Sequence, residues 1–449
     1  MKFRLRLSRL ELIAMLLAWL TIGQSFISLA LGVVGIRGFT STPYLNFVAN
    51  VGAMGIFSLI IIRGFLRRGL PELPPLLLIL SAATTTLAGM GLVIGLSYHN
   101  TPLYVATDTS YLLDWVLGGV AAHVMSEQLS PMDWRRLMEN LGKITTISLL
   151  FATAALLTLH VQPSAIILKL SIVCICMAIF CREARHWLFI VAAVGLLAVT
   201  VTGLNRATII MLFVAVLVAS VAARRAILGF AGVAVAAVVG LLSMQALIAL
   251  LPTGSQLARR LNETSDLLSH RATLENSMAS LQRVYEANVV YNRIDNEGLL
   301  AHLFGLGAGA TINGRGLPGV NLYTVSLLGL DNLHNIHFLH AAILFRHGVF
   351  GLIVLGLYVL AIIWCVIGLR RLSVAADRTM YLLGMAAALY CFSTIAMATT
   401  ASNFFFADPL FGFCLGWGVV IMARSKARPR RLPARYPYDR VQLRSRQAV

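Results

Sequence analysis

The chain has 449 residues, 58% of them apolar and 12% charged, with a mean hydropathy of +0.82. Soluble domains carry about 25% charged residues, so this composition excludes an ordinary soluble enzyme and indicates a polytopic membrane protein. A net charge of +18 would suit a nucleic-acid binder, but no aromatic stacking platform or RNA-binding motif accompanies it, and no nucleic-acid partner is expected.

The chain opens on a basic stretch followed by an apolar run over 10–33, longer than a signal-peptide core, which reads as a retained first helix. Crossing roughly 30 Å of hydrocarbon takes about 20 helical residues, and about twelve stretches meet that length. They cover 10–33, 45–62, 74–96, 103–125, 144–160, 164–180, 187–203, 206–222, 226–251, 348–369, 379–400 and 403–423. The fourth carries Asp108 and Asp114, which either face a wet cavity or bond within the helix. Without that span, every later segment would change sides.

Charge placement supports the count. With the N-terminus cytoplasmic, most of the 36 Lys and Arg residues fall on the cytoplasmic side. They include Lys2 to Arg9, Arg63 to Arg68, Arg135 to Lys143, Arg224 and Arg225, Arg370 to Arg378, and the tail from Arg424 to Arg446. The short outer loops hold only Arg37 and Arg206. Both termini are therefore expected in the cytoplasm, with the tail lying against anionic lipid headgroups. The expected organisation is all-α: nine spans over 1–251, a large helical outer loop over 252–333, three spans over 334–423, and a basic tail over 424–449. All six cysteines lie in or beside spans, which suggests neither a disulfide framework nor a metal site.

Three stretches then share the outer side. Thr202-Gly-Leu-Asn-Arg206 forms a tight turn before the eighth span. In the long loop, helical periodicity runs from Gln256 to Tyr291 through His270-Arg271, followed by Phe304-Gly305-Leu-Gly307-Ala-Gly309. These alternating glycines serve either a tight turn or contact with a phosphate. The loop ends in His334-Asn335-Ile-His337-Phe-Leu-His340, followed by Gly348 and Gly351. Several imidazoles at the edge of an apolar segment ask for a reason beyond packing.

A TG-x-x-R turn, a loop arginine, an FG-x-G patch and a histidine eleven residues before a glycine, in that order, resemble the O-antigen ligase and O-antigen polymerase superfamily. The resemblance covers roughly residues 190 to 400. It implies a helical, metal-independent glycosyltransferase on the periplasmic face of the bacterial inner membrane. Such an enzyme passes a glycan from undecaprenyl diphosphate to an acceptor hydroxyl, either of lipid A-core or of a growing glycan, without a cofactor.

That chemistry suits the residues present. Arg206 and Arg271 would neutralise the donor diphosphate with charge-assisted contacts. Otherwise Arg206 reaches the headgroups and Arg271 pairs with Glu275. His337 is the first candidate for the base that removes the acceptor proton, and His334, three residues earlier on the same helical face, is the second. The family prefers Asn, Ser or Gln after the histidine; here that place is Phe338, and the His-Asn pair falls at His334-Asn335.

Asn335, Gly305, Gly307, Lys169 and Arg346 complete the candidate substrate-binding set. Lys169 either lines a path for the diphosphate or reaches the interface, and Arg346 either snorkels outward or supports the site. His340 and His347 suit packing or the interface. No metal site is expected, because His334, His337 and His340 lack a suitably spaced Cys or acidic partner apart from Asp331. A single large outer loop, in which no arginine has a glycine eleven residues on, favours ligase over polymerase. A lipid-linked glycan transporter using the same arginines without reaction is the alternative from another class.

Overall fold

The structure is a computed structural model. It describes residues 16, 19–20, 43–69, 72–126, 140, 143–151, 153, 165–181, 206–250, 262, 278–313, 332–334, 336–372, 378–401 and 407–427. Among the described residues the regular structure is helical except for one two-residue strand pair. The helices are α1 (Pro43–Arg68), α2 (Pro75–Ser97), α3 (Pro102–Ser126), α4 (Ala165–Cys181), α5 (Arg206–Ala222) and α6 (Ala226–Leu250). They continue with α7 (Met278–Glu297), α8 (Leu299–Phe304), α9 (Leu339–Arg371), α10 (Arg378–Ala401) and α11 (Pro409–Ala427). Proline opens α1, α2, α3 and α11, where its missing N–H costs nothing and its fixed φ suits the first turn.

Among the described residues, four helices are long and apolar enough to cross a membrane: Phe47–Arg67, Pro75–Ser97, Leu339–Arg370 and Met380–Thr399. Shorter apolar helices occur at Ala165–Met177, Ile210–Ala222, Ala226–Ala236 and Pro409–Ser425. Large apolar side chains face outward on α1, α2, α6 and α9; Leu66 is 77% exposed and Ile227 88%. In water that surface would aggregate, whereas lipid is its natural solvent. The chain is an all-helical membrane protein. The expected span at 187–203 lies outside the described residues, as do all of 10–33 except residues 16, 19 and 20, and residues 152 and 154–160 of the span 144–160.

The stretch expected as the fourth span is the helix α3; it is not one of the four helices long and apolar enough to cross a membrane, and it sits inside the bundle. Its buried residues run from Tyr104 to Ser126, and it packs against α1, α2 and α11. The crossing of α3 with α11 is close because glycines face each other. A Cβ on Gly118 would lie 2.8 Å from the Phe413 nitrogen, and one on Gly416 would lie 2.6 Å from the Gly119 Cα. Farther round, the Thr84 and Tyr358 hydroxyls meet at 2.7 Å and join α2 to α9.

The tenth expected span, 348–369, lies within a longer helix, Leu339–Arg371. Helix α9 begins at Leu339 and is broken at Gly348 (φ 61, ψ −160), so Leu339 to His347 form a separate short arm. Above the bundle, α7 and α8 pack on that arm, and β1 (Ile312–Asn313) pairs antiparallel with β2 (Asn332–Leu333). A second apolar core closes this region with Val290, Ile294, Leu306, Ile336 and Phe345 at its centre.

Candidate functional site

The strand pair sets Ile312 opposite Leu333, and the chain leaves β2 directly into His334. The imidazole stacks on Tyr104 of α3 with centroids 4.3 Å apart and planes within 9°. Its Nε2 lies 3.1 Å from Asp108 Oδ2. The same carboxylate oxygen accepts the Gly309 N–H at 2.8 Å and lies 3.0 Å from Arg346 Nε. Arg346 also donates to the carbonyl of His334. Asp108 thus holds the glycine loop, the histidine run and the α9 arm on one side chain. Burial pushes the His334 basicity down; the neighbouring Asp108 opposes this and Arg346 adds to it. Packed on Tyr104 with Nε2 committed to Asp108, this ring presents no open nitrogen at that end to a reacting hydroxyl.

His337, three residues on, is placed differently. Its Nδ1 lies 2.8 and 3.0 Å from the two oxygens of Glu286, and its backbone N–H donates to Glu286 Oε2 at 3.1 Å. Glu286 is 1% exposed on the apolar face of α7, whereas the His337 ring is 29% exposed. The Nε2 atom makes no hydrogen bond among the described residues. His340 is exposed and stacks on Phe338 at 5.4 Å. His347 is buried in a notch between Gly91 and Gly351, where a Cβ on Gly91 would meet the ring at 2.9 Å. The histidines therefore go to different partners, and no group of three metal-ligating side chains occurs among the described residues.

The glycine patch has a packing duty. Gly305, Gly307 and Gly309 have φ of 75, 80 and 76°, and a Cβ on each would run into the backbone of α9, α2 and α3 respectively. Their neighbourhood's N–H groups are already used. Gly305 donates to Ala301 O at 2.8 Å, Leu306 to Phe345 O at 2.8 Å, Gly307 to Arg346 O at 3.1 Å and Ala308 to Gly91 O at 2.8 Å. Of the two expected roles, the turn is the one built, and Gly305 and Gly307 do not form an open phosphate cradle. Gly348 completes the fit, since its lack of a Cβ admits the Leu303 carbonyl at the kink.

The other substrate-binding candidates divide. Arg346 is 1% exposed and supports the histidine run from within; it does not snorkel. Lys169 is equally buried, paired with Asp408 and 5.3 Å from the Tyr390 ring centroid. Its ammonium joins α4 to the start of α11 and does not reach the interface. Arg206 opens α5, but its side chain lies outside the described residues, as do Arg271 and Asn335 altogether.

Glu286 and Tyr104 are the residues that sequence reasoning missed, and Asp108 was left between two roles, neither of which is the one observed. A carboxylate in register with Val290 and Ile294, on the buried side of an amphipathic helix, was the available signal for Glu286. No protein-family model matches the chain, and no curated protein matches it. The site is an imidazole with one nitrogen held by a buried carboxylate and the other without a hydrogen-bond partner among the described residues, an arrangement able to take a proton from a bound hydroxyl.

Proposed function

We propose that this chain is a metal-independent glycosyltransferase of the O-antigen ligase type. It moves a glycan from undecaprenyl diphosphate to a hydroxyl of lipid A-core. On this reading it has about twelve spans, lies in the bacterial inner membrane with both termini cytoplasmic, and works on the periplasmic face. The observation that carries the reading is the partly exposed His337 ring, whose Nε2 has no hydrogen-bond partner among the described residues.

The acceptor hydroxyl gives its proton to Nε2 as its oxygen attacks the anomeric carbon. The bond from that carbon to the diphosphate oxygen breaks, and the undecaprenyl diphosphate leaves with the electron pair. Arg206 and Arg271 offset the charge that develops on it. A single displacement of this kind inverts the anomeric centre.

The test is transfer by detergent-purified protein between a synthetic undecaprenyl diphosphate glycan and lipid A-core. A transporter would return both substrates unchanged. In cells, deletion should leave lipid A-core unsubstituted while long glycans accumulate on undecaprenyl diphosphate. Lipid A-core capped with one repeat unit would instead identify a polymerase.

A further inference from the structure

We propose that Glu286 is the positioning residue of the proposed reaction, selecting the ring nitrogen of His337 that accepts the proton. The inference rests on His337 being the base. Two contacts from one carboxylate define it: both Glu286 oxygens reach Nδ1, at 2.8 and 3.0 Å, and Oε2 also accepts the His337 backbone N–H at 3.1 Å.

A carboxylate accepts and does not donate, so in the neutral ring the proton resides on Nδ1 and Nε2 carries the lone pair. The backbone contact fixes where the ring is rooted and the side-chain contact fixes which way it turns. Imidazole attached at a helix edge otherwise rotates about χ2 and exchanges tautomers. Here both freedoms are removed by a residue 51 positions away on α7. When Nε2 takes the hydroxyl proton, the ring becomes a cation beside a carboxylate that is 1% exposed. Little water screens that pair, so Glu286 stabilises the protonated ring at the moment it forms. His334 has the complementary arrangement. Its Asp108 contact is made by Nε2, the nitrogen that a base on this arm would need free.

The experiment uses the full-length protein with Glu286→Gln, which keeps the length and an accepting oxygen but removes the charge. Nitrogen NMR of 15N-histidine-labelled protein, with His337 assigned by comparison with H337A, reads the tautomer directly. The wild type is expected to show Nδ1–H, and E286Q a mixture. In the transfer assay kcat of E286Q should fall on the order of 10²-fold, with KM for the donor unchanged. In an H337A background, E286Q should cost nothing further, because an effect exerted through His337 disappears with it.

An equal loss from E286Q in both backgrounds would show a merely structural role and overturn the proposal. So would an Nε2–H tautomer in the wild type, or an unchanged kcat in E286Q. Full activity of H337A would instead overturn the base reading itself, an outcome the NMR result distinguishes because it needs no turnover. Glu286→Asp, one methylene shorter, should lose the ring contact and resemble E286Q in tautomer mixture.

Discussion

Gly348→Ala and Gly356→Ala place the same methyl group in the same helix with opposite expected results. At Gly348 the backbone has φ 61 and ψ −160, a region essentially closed to other residues and costing about 1–3 kcal/mol for alanine. The new Cβ would also lie under 3.0 Å from the backbone of Leu303 and Phe304. Backbone cannot swing aside as a side chain can, which adds about 1–3 kcal/mol of overpacking. The sum is a loss of about 2–6 kcal/mol. At Gly356 the Cβ would meet nothing within 4 Å; there alanine should stabilise by roughly 0.5–1 kcal/mol through helix propensity alone. Thermal unfolding of both proteins in one detergent should therefore move in opposite directions. G348A should also lose transfer activity, since the kink holds Arg346 against Asp108 and His334. A G348A midpoint at or above that of G356A would refute the account of the kink.

Replacing His337 by alanine should reduce transfer to a small but measurable residual rate while donor binding and protein level persist, whereas His334→Ala should lower the unfolding midpoint and reduce transfer less; the reverse pattern would exchange the two roles. Arg206→Ala and Arg271→Ala should each cripple turnover, with lysine a poor substitute if the contacts are bidentate, and activity should survive EDTA. Loss on chelation with recovery on adding a divalent cation would exclude the metal-free mechanism. Lys169→Met should destabilise by about 3–5 kcal/mol, because it leaves Asp408 charged and buried; Asp408→Asn in the same protein should restore most of it, as the amide can still serve Tyr390 and Leu410. His334, whose basicity is lowered in the fold, supports stability above the ordinary imidazole value near 6.5 and withdraws it as pH falls through the folded value. The unfolding midpoint should thus drop on acidification, with a flatter profile in His334→Asn.

Helix α2 runs from Pro75 to Ser97 where 74–96 was expected, and α5 and α10 agree within a residue or so at each end. This is because lipid demands a continuous apolar run, whose start proline marks in α2 and arginine in α5 and α10. The sequence also identified His337 and Gly348 as a spaced pair and His334 as its rival. It did not reveal why the glycine is needed, since the carbonyl that approaches it belongs to Leu303. Nor could it divide the histidines, because the division depends on partners far along the chain. Asp108 lies 226 positions from His334 and Glu286 51 positions from His337. Local propensity carries no information about such pairs. Lys169 and Arg346 show the same limit: a cation in an apolar run signals a role, but only packing decided that they face Asp408 and Asp108 from inside the protein. Apolar length and backbone chemistry were legible from the chain alone. The assignment of one buried carboxylate each to His334 and His337 was settled by tertiary structure, because burial makes an unmatched charge too costly and so dictates which distant groups must meet.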